Sequence, residues 1–314
     1  MKAPNYLIIL ILISTSLWSQ KTAIDTLEVR ISTSSVEIQG TLLKPTSSKK
    51  VPLCIIIPGS GPTDRNGNNP MMKNNSLKFL AEELATNNIA TYRFDKSVIH
   101  YTKEQKQQID SLKFQIFIDE AIAIINYFKL KKEYSKIIVI GHSQGSLVGM
   151  IAGKNLADAF ISIAGTARTI DEVLVEQIEK QAPYLKEETL RIVTELKKGK
   201  TVNDFNPLLT SLFNKSIQPF IISWMKFNPS EEIKKLKIPI LLINGSKDIQ
   251  VPTNDAVLLQ KANPISQLNI IENMNHVFKE INGDSMENMA SYSNPKMPIM
   301  TELSTIITTF VNEK

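Results

Sequence analysis

Ile137-Ile138-Val139-Ile140-Gly141-His142-Ser143-Gln144-Gly145 is the stretch whose reading decides the fold. The apolar run Ile137 to Ile140 predicts a short strand, and Gly145 to Asn155 reads as a helix. Between them lies Gly-x-Ser-x-Gly. Alone, that pentapeptide is a weak signal; between a strand and a helix it becomes a strong one. The turn must be sharp enough to lift the serine oxygen above the sheet edge, so the positions two residues either side of it must lack side chains. The helix that follows aims free N–H groups at the place where negative charge would form.

Outward from this turn, strand and helix signals alternate. Val29 and Ile31, then Val36 and Ile38, alternate with polar residues on either side of Ser32 to Ser35 and predict a hairpin. Leu53 to Ile57, closed by Pro58-Gly59, suits a buried parallel strand. Short strands follow at Ile89 to Phe94, Phe160 to Ala164, Ile238 to Ile243 and Leu268 to Ile271. Leu77, Phe79, Leu80 and Leu84 recur at helical spacing, as do the apolar residues from Phe114 to Phe128. Pro298 is placed to open a terminal helix ending near Val311. Residues 169–229 contain no good strand; Thr169-Ile170-Asp171-Glu172 has the form of a capping box before a helical block. The expected fold is α/β: a mostly parallel sheet with helices on both faces, interrupted by a helical cap. The expected boundaries are 21–169 and 233–314 for the core and 170–232 for the cap.

The chain has 314 residues, 42% of them hydrophobic, enough for a sizeable core, and a net charge of +5. The excess is mostly lysine and no basic run is interleaved with aromatics, so a solvated surface is expected and no nucleic-acid partner. Residues 1–20 have the layout of a secretory signal: Lys2, the apolar run Leu7 to Ile13, then small and polar residues. That run is shorter than the roughly 18 apolar residues a membrane span needs, so no stable membrane anchor is expected and the protein is read as secreted or periplasmic. Cys54 is the only cysteine, which excludes an intrachain disulfide.

A serine hydroxyl needs a base, and the base needs an orienting acid. The chain has three histidines. His142 adjoins the serine and is expected to be structural, pointing away from the catalytic face. His100 sits in a polar loop and reads as a surface residue. His276 follows the last strand and is the expected base. Asp248, in the turn after Ile240 to Ile243, is the expected acid, because the order Ser143, Asp248, His276 suits this arrangement; Glu272 is the fallback. Gly59-Ser60-Gly61 after the strand Leu53 to Ile57 lets backbone approach a substrate oxygen, so the N–H groups of Ser60 and Gln144 are the expected oxyanion donors. Asp64 and Arg65 are expected to hold that loop by pairing. Phe220 and Trp224 lie on an apolar helical face that is either the cap's own core or the roof of the pocket over Ser143. With the roof reading, short acyl groups are expected to be preferred over long lipid chains.

These residues resemble the bacterial carboxylesterases of the α/β-hydrolase superfamily, often grouped with serine aminopeptidase-like hydrolases. The resemblance extends beyond the serine turn to Val36-Glu37-Ile38-Gln39-Gly40-Thr41-Leu42, to Pro58 through Asn68, to Ile249-Gln250-Val251-Pro252 after Asp248, and to Asn275-His276-Val277-Phe278. It departs after the strand Ile89 to Phe94. There the family tends to read Asp-Lys-Arg-Gly-x-Gly, and this chain reads Asp95-Lys96-Ser97-Val98-Ile99-His100. The resemblance implies the α/β-hydrolase fold and hydrolysis of a small-molecule carboxylic ester through an acyl-enzyme, with no metal and no organic cofactor. Two other readings stay open: a peptidase on the same triad, which would need an acid such as Glu172, Glu176 or Glu179 to hold an ammonium group, and a binding protein on a hydrolase scaffold.

Overall fold

The computed structural model describes residues 23–33, 36–100 and 112–314. The proposed signal, residues 1–20, lies outside them. Eight strands form one sheet: β1 (Ile24–Ser32), β2 (Glu37–Pro45), β3 (Leu53–Ile57), β4 (Ala90–Phe94), β5 (Ile137–His142), β6 (Ala159–Ile163), β7 (Ile240–Gly245) and β8 (Gln267–Ile271), in the order β1-β2-β4-β3-β5-β6-β7-β8. The β1–β2 hairpin is antiparallel, with Ile31 opposite Ile38, and β2 runs antiparallel to β4; every other pair is parallel.

Burial on both faces explains the near-continuous apolar strands. Leu53, Ile55 and Ile57 of β3, with Ile137 and Val139 of β5, enter the core beneath helices Gln115–Lys131 and Gln144–Gly153. Their neighbours Cys54, Ile56, Ile138 and Ile140 enter the opposite core, covered by helices Ser76–Thr86 and Thr301–Glu313. Burial pushes the Cys54 thiol well above its ordinary pKa, so it stays protonated and inert.

Boundaries differ from the sequence reading where proline intervenes. The strand expected from Ile238 begins at Ile240, because Pro239 has no N–H for the ladder; its carbonyl instead accepts from Phe160 N at 3.0 Å. The terminal helix begins at Thr301 rather than Pro298, after Met300 has donated its N–H to Phe278 O at 2.9 Å.

Between β6 and β7 the chain is helical: Ile170–Gln181, Lys186–Lys197, Thr210–Phe213, Gln218–Trp224 and Pro229–Ile233. Ile170, Leu174, Ile192, Leu196, Phe213 and Ile221 make a buried cluster of its own. Phe220 and Trp224 join that cluster to the main core, with Trp224 stacked on Phe114 at 5.3 Å and 8° between planes. The segment is tied to the core at its entry. Buried Asp255 accepts from Ala167 N at 2.8 Å, Thr166 Oγ1 at 3.0 Å, and Arg168 Nη2 at 2.8 Å.

Gly245 ends β7 where the chain leading to His276 passes over it. A Cβ there would lie 2.0 Å from Met274 O, against backbone that cannot yield. Gly245→Ala should therefore destabilise by about 2 kcal/mol or more, the cost typical of overpacking; urea unfolding of the variant beside wild type measures it.

Candidate active site

The site gathers at the carboxyl ends of the parallel strands, where open α/β sheets bind ligands. Ser143 follows β5, Asp248 follows β7, His276 follows β8, and Ser60 follows β3. Ser143 has φ 53° and ψ −121°, a left-handed conformation that costs a serine about 1–3 kcal/mol. The two glycines make it attainable. A Cβ on Gly145 would sit 2.4 Å from Ile57 O, and one on Gly141 would sit 2.3 Å from Gly145 O. The turn is held by Ser143 N donating to Ile163 O and Ser146 N donating to Ser143 O, both at 2.9 Å.

His276 Nδ1 lies 2.8 Å from Asp248 Oδ2, and both side chains are buried. Asp248 Oδ1 accepts from Gln250 N at 2.8 Å and Val251 N at 2.9 Å, which fixes the carboxylate. Glu272, the fallback acid, is exposed. Asn275 shapes the histidine loop: its Oδ1 accepts from Val277 N at 3.1 Å and Lys279 N at 2.9 Å. Ser143 Oγ makes no hydrogen bond to His276 in this arrangement. The ring of His142, the residue before Ser143, lies 4.8 Å from that of His276, centroid to centroid. In unliganded sites such catalytic bonds are often long and tighten when substrate arrives.

His142 is structural, as expected, but its ring turns towards the His276 loop and supports it. His142 Nε2 donates to His276 O at 2.9 Å, and its ring packs on Phe278 at 4.8 Å. Burial, with smaller help from His276 nearby, lowers its pKa to about 3, so it stays neutral. His100 is exposed, as expected of a surface residue, with Nε2 3.7 Å from Asp95 Oδ2.

Gln144 is the first residue of its helix, so its N–H has no acceptor within the helix. Neither that N–H nor that of Ser60 is hydrogen-bonded among the described residues. Asp64 and Arg65 each hold the Ser60 loop, but not through one another. Asp64 Oδ1 accepts from Asn66 N at 2.8 Å and Asn68 N at 2.9 Å, while Arg65 bonds Asp95 at 2.7 Å and Glu28 at 2.5 Å.

Ser60, Ser143 and Gln144 open on a cavity of about 510 Å³. Phe117, Ile170, Leu174, Phe220 and Trp224 line it, so the aromatic face of the helical segment serves both the packing and the pocket. Gln177 and Gln250 add polar groups, and no carboxylate lines it among the described residues. Glu176 is paired with Arg168 and Lys180, and Glu179 with Lys186. No group of three or more His, Cys, Asp or Glu able to hold a metal occurs among the described residues, and none of their helices is long and apolar enough to cross a membrane.

Sheet order and the strained serine turn define a member of the α/β-hydrolase superfamily. Residues 41–262 match the family described as BD-FAE, and the chain belongs to it. It is 26% identical over 270 residues to Esterase EstD of Thermotoga maritima, covering 81% of this chain and 61% of that protein. The chain thus spans about three fifths of the length of that curated relative. Est1E from Butyrivibrio proteoclasticus shares the fold with a TM-score of 0.60 and 17% identity, over 91% of this chain and 99% of that one. So does the Pyrococcus horikoshii acylaminoacyl peptidase, with a TM-score of 0.57 and 16% identity, over 94% of this chain and 42% of the peptidase.

The neutral His142 has a measurable consequence. An unfolded histidine titrates near 6.5, and this one titrates far lower when folded, so the unfolded chain binds more protons below pH 6.5. His142 therefore removes stability as pH falls from 6.5 towards 3, by up to about 1.4 kcal/mol per pH unit. The difference in unfolding free energy between wild type and His142→Gln, followed from pH 7 to 5, isolates this group and should carry that slope.

Proposed function

We propose that the chain is a serine carboxylesterase that works through an acyl-enzyme on Ser143. The observation that carries this reading is a strained serine turn opening on an apolar cavity, with a buried Asp248–His276 pair at the same sheet edge. Ser143 Oγ attacks the ester carbonyl carbon while His276 Nε2 accepts its proton. Asp248 takes the hydrogen bond from His276 Nδ1, holding the ring in the tautomer that leaves Nε2 free and stabilising the imidazolium that forms. The oxyanion is received by the N–H groups of Ser60 and Gln144. His276 returns the proton to the departing alcohol, and a water activated by the same nitrogen then releases the acid.

The relative's printed name and the Est1E structure described with ferulic acid bound support an ester substrate. The cavity favours ester over amino-terminal peptide for a separate reason: a free ammonium group would find no carboxylate among its described lining residues. Its volume and its roof of Phe220 and Trp224 favour compact acyl groups over long lipid chains. Residues 1–20 read as an export signal, and we place the working enzyme outside the cytoplasm. Amino-terminal sequencing of the exported protein should begin between Leu17 and Lys21; retention of Met1 would contradict it.

Ser143→Ala and His276→Ala should each lower kcat for aryl esters by on the order of 10⁴-fold or more, with the fold intact by circular dichroism, while His100→Ala should cost little. Butyrate esters should turn over faster than palmitate esters, and aminoacyl anilides should be poor substrates. Equal activity in the serine variant, or anilide turnover exceeding that of every ester, would overturn the reading.

A further inference from the structure

Lys96 follows β4 and matches the lysine of the family's Asp-Lys-Arg-Gly-x-Gly, the chain departing from that motif only from Ser97, and the triad does not use it. It is 3% exposed. Its Nζ donates to Gly59 O, to Gln144 Oε1 at 3.0 Å and to Gly61 O at 3.3 Å, and stands 4.6 Å from the centre of the Phe117 ring. All three hydrogen-bond partners are acceptors, and satisfying three acceptors takes three N–H groups, which only the ammonium form has. Gly59 and Gly61 flank Ser60, and Gln144 follows Ser143. One side chain thus ties together two pocket-lining residues from different elements whose backbone N–H groups are left unbonded among the described residues.

We propose that Lys96 is a positioning residue of the oxyanion hole, its ammonium fixing the Ser60 loop against Gln144 so that both donors are aimed before substrate arrives. Preorganised donors of this kind act without reorganisation during reaction, and a loop free to drift would lose that advantage. The three acceptors hold the charge against its burial, which by itself favours the neutral amine. Burial lowers the Lys96 pKa, and Glu120 on helix Gln115–Lys131 opposes that shift. Glu120 is itself buried; its Oε1 accepts from Ser97 Oγ, and its Oε2 has no hydrogen-bond partner.

The proposal rests on Ser143 as the nucleophile, and its test needs no knowledge of the natural ester. An alkyl fluorophosphonate reacts by forming a bond from Ser143 Oγ to phosphorus and breaking the P–F bond; fluoride leaves and the serine proton passes to His276. The phosphoryl oxygen then occupies the oxyanion hole. Lys96→Met keeps the length of the side chain and removes the donors. It should lower the maximal labelling rate by about ten- to a hundredfold, less than the loss of a whole donor, with the probe's apparent affinity within about twofold. Gln144→Ala, which keeps its backbone N–H, should give a smaller loss, and the double variant should label no more slowly than Lys96→Met alone.

A folded Lys96→Met protein labelling at the wild-type rate would overturn the proposal, and so would independent, multiplying losses in the double variant. Should Lys96→Met not fold, Gln144→Ala decides: a slower maximal rate supports the clamp and an unchanged one overturns it. Wild type that labels at Ser143 yet hydrolyses no ester would overturn the ester reading and leave this comparison standing. Wild type that does not label would overturn both.

Discussion

The contact on which the rest depends is the passage of Gly145 against the carbonyls of Ile57 and Pro58, with Gly141 folded under the same turn. It lets β5 end and the next helix begin within one residue. It also forces Ser143 to φ 53°, a conformation the isolated chain would avoid. The cost is met by the buried strands on either side, β3 and β6, both bonded to β5. A serine held this way stands above the sheet with the start of a helix behind it.

The other parts of the site are fitted to that turn by loops whose own polar groups are satisfied locally. Asp248 is held by two backbone N–H groups, His276 by Asp248 on one side and by the neutral ring of His142 on the other. Asn275 closes the histidine loop through Val277 and Lys279. The Ser60 loop is held by Asp64 internally, by Arg65 reaching to Asp95, and by Lys96 from beneath. Few of these groups can meet substrate; their work is to leave the reacting groups one arrangement rather than many.

Much of this was legible in the sequence because it rests on local patterns. The run Leu53 to Ile57 reads as a buried parallel strand, Ile137 to Ile140 reads as a short strand, and glycine spacing marks the serine turn. What escaped were long-range partners of polar residues. Lys96 lies in Asp95-Lys96-Ser97, a stretch that reads as surface loop, and only the tertiary fold supplies the two carbonyls and the amide that bury it. His142 was expected to turn away, yet β8 carries the His276 loop directly over it. Arg168 and Asp255, 87 positions apart, meet where the helical segment leaves the sheet; no spacing rule links them. The helical face around Phe220 and Trp224 was ambiguous between packing and pocket, and it does both.

The central claim is that one serine, one histidine and two backbone N–H groups converge on a single reacting carbonyl. A crystal structure of the protein after reaction with a fluorophosphonate tests it most directly. The account predicts phosphorus bonded to Ser143 Oγ, the phosphoryl oxygen about 2.7–3.1 Å from the Ser60 and Gln144 nitrogens, and His276 Nε2 within hydrogen-bond reach of the serine oxygen. Phosphorus on another residue, or a phosphoryl oxygen turned away from both nitrogens, would contradict it.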